Sequence, residues 1–120
     1  MLKRFSLPII LVYVLALTYG SLSNIGKVPE LGFSFDDKIY HFLAYAILTL
    51  LLFNYIITTN VKLNILLSAS IAIIYGIIIE VLQATVTDFR TPDYYDVLAN
   101  TAGVLFAIIL LRIKSVLKLK

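Results

Sequence analysis

An all-α, membrane-embedded four-helix bundle is the fold class that three observations predict. Of 120 residues, 61% are hydrophobic and only 14% charged, and the mean hydropathy of +0.98 lies far above that of soluble domains. Four apolar runs, 5–22, 37–58, 63–84 and 92–113, each approach the roughly 20 residues needed to cross a hydrocarbon core of about 30 Å. Basic residues gather at the ends and in one connection, as the positive-inside rule requires of an up-down bundle. The four runs leave no room for a soluble domain, so residues 1–120 read as one transmembrane domain.

The first run follows "MLKRF". It has the basic start and apolar core of a secretory signal, but it is long for a signal core and lacks a small-x-small cleavage pattern before Ser21, so it reads as a retained helix. The second opens with "SFDDKIYHFLAY". Ser34 and Asp37 match a capping box, which gives Asp37 a structural reading as a helix-start residue. The third carries "YGIIIEVLQ", and Gly76 with Ala72 forms a small-xxx-small pair suited to close helix packing. The fourth begins at Thr91-Pro92-Asp93: a hydroxyl cap, proline at the first helical position and an acid in the first turn.

Both termini and the short connection near Lys62 carry Lys3, Arg4, Lys62, Arg112, Lys114, Lys118 and Lys120, with no acidic residue among them. This places both termini in the cytoplasm and orients the helices antiparallel. Glu30, Asp36, Asp37, Asp88, Asp93 and Asp96 then fall on or near the outer connections, and Glu80 stands alone within an apolar run. Cysteine is absent, which removes disulfides, thiolate metal sites and thiol nucleophiles. The net charge of +3 reports topology and lipid head groups rather than nucleic acid.

Several polar residues are costly in such a chain. A carboxylate at Glu80, among Ile77, Ile78, Ile79, Val81 and Leu82, costs several kcal/mol unless it is paired, solvated or protonated. Gln83 follows three residues later on the same helical face. His41 lies four residues after Asp37 and four before Tyr45, so these three share a face. Asp96 and Asn100 lie too deep in the fourth helix to be caps, on a face continuing through Gly103 and Ala107. Antiparallel packing brings His41, Glu80, Asp96 and Asn100 to similar depth, a polar pocket near the outer leaflet with Lys38 and Arg90 at its rim.

The blocks "DKIYHFLAY", "YGIIIEVLQ" and "FRTPDYYDVLANTAG" resemble the VanZ-like family of small bacterial membrane proteins. Its pattern is met by Asp37, Lys38, His41, Tyr45, Glu80, Gln83, Arg90, Asp93, Asp96, Asn100 and Gly103. Leu82 stands where a basic residue is often found, and Phe89 where a glycine is usual. The resemblance implies a multi-pass protein of the bacterial cytoplasmic (inner) membrane and the cell envelope, whose namesake is associated with resistance to the glycopeptide teicoplanin. It implies no settled activity.

Four uses of the pocket are open at this point. The leading expectation is binding of an anionic envelope component, a membrane lipid or a lipid-linked cell-wall precursor, with Lys38 and Arg90 holding its oxygens and Arg90 suited to bidentate contact. An enzymatic version makes His41 and Glu80 the acid/base pair, but no hydrolase nucleophile motif supports it, so a binding role is expected ahead of catalysis. His41, Glu80 and Asp96 also form a candidate ligand set for a divalent metal; no other cofactor is indicated. The remaining uses are a structural polar cluster with Arg90 paired to Asp93 or Asp96, and a small proton-coupled transporter with Glu80 as carrier.

Overall fold

The computed structural model describes residues 3–22, 36–59, 62–86 and 94–117, with the side chains of residues 3–5, 36, 37, 84, 86 and 94 outside the description. The chain is all-helical, with α1 (Lys3–Leu22), α2 (Asp36–Ile56), α3 (Asn64–Val86) and α4 (Tyr94–Leu117). Each helix coincides with one expected apolar run; α4 extends beyond residue 113 to Leu117 because Arg112, Ile113, Lys114 and Ser115 do not break a helix. Three stretches, Lys38–Thr59, Asn64–Gln83 and Tyr95–Leu117, are long and apolar enough to cross a membrane, and the apolar part of α1, Ser6–Leu22, is shorter.

Local chemistry explains the junction between α2 and α3. The last carbonyls of a helix lack intrahelical partners, and here two threonine hydroxyls supply them: Thr58 Oγ1 donates to the Tyr55 carbonyl and Thr59 Oγ1 to the Ile56 carbonyl, both at 2.7 Å. A turn of 3-10 helix over Ile57–Thr59 results. Leu63 then adopts φ of 58°, and its carbonyl accepts the Leu67 amide at 2.9 Å, which starts α3.

Tyr45, Leu48, Leu52, Ile56, Ala69, Ala72, Val104 and Ile10 form the core, while Val12, Leu15, Leu66, Leu98 and Val116 are among the large apolar side chains left exposed. Such a distribution suits a solvent that is itself apolar. α2 packs against each of the other helices, most extensively against α4. Small residues set that interface. A Cβ added at Gly103 would run into the Phe42 carbonyl oxygen, with the Phe42 carbonyl carbon at 3.0 Å and the Ala46 amide nitrogen at 3.1 Å. Backbone therefore meets backbone there, as small residues permit between membrane helices, and Ala107 is fully buried one turn on.

Polar tips lock α1 to its neighbours. Tyr13 Oη donates to the Ala44 carbonyl at 2.6 Å, and Thr18 Oγ1 and Tyr75 Oη share a hydrogen bond of 2.6 Å. The pairs Lys38–Asp96, His41–Asn100 and Phe42–Phe106 ascend α2 and α4 together. The first turns of those two helices are thereby placed beside the second half of α3, where Gly76 meets Tyr45 and Asn100.

Candidate functional site

Four side chains at the start of α2 and α4 form one connected cluster. Lys38 Nζ donates to Asp96 Oδ1 at 2.6 Å; the lysine side chain is 28% exposed and the aspartate 10%. His41 lies one turn deeper on α2, with Nε2 3.6 Å from the same Asp96 oxygen. Its other nitrogen, Nδ1, is 2.9 Å from Asn100 Oδ1. An amide oxygen only accepts, so Nδ1 carries the proton in this arrangement and Nε2 is the atom turned toward Asp96.

The local reason for this convergence is helical spacing. Lys38 and His41 are three residues apart and Asp96 and Asn100 four apart, so each pair stacks on one helical face. The close approach at Gly103 brings those faces within hydrogen-bond distance.

Behind this layer, α3 contributes Gly76. A Cβ built there would lie 3.0 Å from the Tyr45 ring and 3.2 Å from Asn100 Nδ2, so the absent side chain lets both groups approach the α3 backbone. Glu80 follows one turn later on the same face, is 9% exposed and lies within electrostatic reach of the Tyr45 phenol. Gln83 is 2% exposed and donates from Nε2 to the Ser21 carbonyl of α1 at 2.8 Å, a structural tie the sequence pattern did not disclose.

Of the residues expected to form the site, Lys38, His41, Asp96 and Asn100 are joined directly and Tyr45 abuts them through Gly76. Asp37 lies in the first turn of α2 with its side chain outside the described residues, and Arg90 and Asp93 lie outside them altogether. The expected carboxylate partner Asp96 is engaged by Lys38 and His41. Among the described residues no group of three His, Cys, Asp or Glu side chains is placed to hold a metal ion, so His41, Glu80 and Asp96 do not form a ready ligand set.

Sequence reasoning did not single out Tyr13, Thr18, Tyr75 and Ser21. The signal was available: tyrosine and threonine within apolar helices seek partners for their hydroxyls.

The cluster offers one ammonium, one imidazole, one primary amide and one buried carboxylate, a set able to bind oxyanions and to relay protons. A family model described as VanZ/LLP1 matches residues 7–115. No curated protein and no solved structure matches the chain significantly.

Proposed function

The chain belongs to the VanZ/LLP1 family, and we propose that it acts as a multi-pass protein of the bacterial inner membrane that binds an anionic cell-envelope component, a lipid or a lipid-linked cell-wall precursor. The bundle is antiparallel with both termini cytoplasmic, which puts the starts of α2 and α4 at the outer face. Lys38, Arg90, His41 and Asn100 engage the anion, with Asp37, Asp93, Asp96 and Glu80 setting their charge balance and Tyr45 and Gln83 lining the site.

The observation that carries this reading is the partly exposed Lys38 ammonium held at 2.6 Å by the buried Asp96. A lysine fixed by a carboxylate at the rim of an apolar bundle presents an oriented positive charge, the feature that attracts a phosphate or carboxylate at a membrane surface. Helix register supports the orientation, since the ascending α2–α4 pairs suit an up-down chain whose alternate helices run in the same direction. The resemblance to VanZ-like proteins raises a relation to glycopeptide resistance, which teicoplanin susceptibility of cells with and without the protein would test.

The same ion pair supports a second reading, a structural cluster that ties α2 to α4 without a ligand. Mass spectrometry of the protein purified in mild detergent separates the two. A binding protein carries a phosphate- or carboxylate-bearing lipid that Lys38→Ala strips from folded protein; a scaffold carries the same bulk lipid in both forms.

A further inference from the structure

Two buried hydrogen-bond donors on different helices have no partner among the described residues. Asn100 is 4% exposed, and its amide oxygen is engaged by His41 while no hydrogen bond takes up Nδ2. Tyr45 is 2% exposed; its backbone carbonyl accepts from Thr49, and its phenol hydroxyl has no hydrogen-bond partner. Both groups crowd the same point over Gly76, the Tyr45 ring at 3.0 Å and Asn100 Nδ2 at 3.2 Å from a Cβ built there. A buried polar group left unmade loses its hydration without compensation, so paired orphans at one point call for an explanation.

The chemistry of the two groups selects what satisfies them. An amide N–H donates only, and a phenol O–H donates most strongly, so the complement is an acceptor oxygen rather than a cation. Lys38, the Lys or Arg of the site among the described residues, pairs with Asp96, and Asp96 precedes Asn100 by one helical turn, about 6 Å along α4. One phosphate is too small to span that rise. A headgroup with a phosphate and a second acceptor oxygen about one turn away spans it, as in a glycerophosphate ester or a diphosphate.

We propose that Asn100 Nδ2 and Tyr45 Oη are the inner donor pair of the anion site, receiving a second oxygen of a phosphate-bearing headgroup whose phosphate sits at Lys38. This rests on the anion-binding reading above. Gly76 has a defined part: its missing side chain lets the Tyr45 ring and the Asn100 amide come together against the α3 backbone.

The test is a thermal-shift titration of the full chain in mild detergent with dihexanoyl phosphatidic acid, dihexanoyl phosphatidylcholine and inorganic phosphate as probes. The wild type binds phosphatidic acid more tightly than inorganic phosphate, which lacks the second group, and more tightly than the zwitterionic lipid. Tyr45→Phe keeps its ligand-free stability, since the hydroxyl has no hydrogen bond to lose among the described residues, and binds phosphatidic acid about tenfold or more weakly. Asn100→Asp, which keeps the oxygen facing His41 and replaces the donor, loses the lipid as well. Should Asn100→Asp not fold, Tyr45→Phe alone decides the matter.

Loss of ligand-free stability in Tyr45→Phe with unchanged phosphatidic acid affinity overturns the proposal, because the hydroxyl is then satisfied internally, for example by a resident water. A wild-type response abolished by Lys38→Ala but intact in Tyr45→Phe and Asn100→Asp overturns the donor pair while leaving the anion site standing. No response of the wild type to phosphatidic acid overturns both.

Discussion

Lys38 and His41 face the same oxygen of Asp96, the ammonium at 2.6 Å and imidazole Nε2 at 3.6 Å. Lys38 thus ties the first turn of α2 to Asp96 at the start of α4, and His41 ties the next turn to Asn100, so neighbouring links between the same two helices are coupled. In a double-mutant cycle in detergent, Lys38→Met and Asp96→Asn should each destabilise by about 1–3 kcal/mol, because each leaves a partly buried charge less well paired. The double variant should recover part of that loss. Strict additivity would show that the pair contributes nothing beyond its separate side chains.

Two glycines should respond in opposite directions to the same substitution. Gly103→Ala drives a methyl into the Phe42 carbonyl of α2, and backbone cannot yield as a flexible side chain can. A loss of about 3 kcal/mol or more, or failure to fold, is expected. Gly20→Ala in α1 meets nothing within 4 Å and should gain roughly 0.5–1 kcal/mol from helix propensity. Chemical denaturation of the two purified variants makes the comparison, and similar changes in both would mean that the α2–α4 contact is looser than described.

Leu63 carries a backbone angle that suits asparagine or glycine, with φ of 58° at a position 73% exposed. A left-handed conformation costs an ordinary L-residue about 1–2 kcal/mol. Leu63→Asn should therefore raise stability by up to about 1 kcal/mol without affecting the site, since it lies in the α2–α3 connection. A lower melting temperature in this variant would contradict that backbone geometry.

These residues also show what the sequence makes legible. α2, α3 and α4 follow from apolar length, because a chain with so little polar surface must satisfy its backbone internally, while the apolar part of α1 is shorter. His41, Asp96 and Asn100 could be assigned to one cluster because polar residues inside apolar helices face one another at matched depth. Other features were not legible. Gln83 shares a helical face with Glu80 yet donates to Ser21 of α1, and helical spacing cannot choose between neighbours. Gly103 continues the helical face of Asp96 and Asn100, but that its place is against the α2 backbone, where it sets a distance, was not legible. The left-handed Leu63 had no sequence signal, since leucine is not a turn residue.

The docking of α1 yields a prediction independent of the site. Tyr13→Phe removes the 2.6 Å hydrogen bond to the Ala44 carbonyl while keeping the ring, at an expected cost of about 1 kcal/mol. Amide exchange in α1 should quicken more than in α4. Equal acceleration in both would mean that α1 does not open separately from the rest of the bundle.

Sidedness is accessible in cells. Single cysteines at Gly26 and Lys118 should differ in reaction with a membrane-impermeant maleimide, once the reagent has access to the outer face of the cytoplasmic membrane. Labelling at Gly26 and protection at Lys118 is expected from the distribution of Lys and Arg. The reverse pattern would move the site to the cytoplasmic face.

The most direct measurement of the central claim counts bound anionic lipid per folded molecule by native mass spectrometry, for the wild type, Tyr45→Phe and His41→Gln, alongside their melting temperatures. Both substitutions approximate the shape of the original side chain and change its chemistry, so a ligand site loses occupancy while the fold persists. The account predicts a phosphate-bearing lipid retained by the wild type through detergent exchange, reduced about tenfold or more in both variants, with melting temperatures shifted by only a few degrees. Parallel destabilisation of both variants, with lipid per folded molecule unchanged from the wild type, would contradict it and leave a cluster that only holds α2, α3 and α4 together.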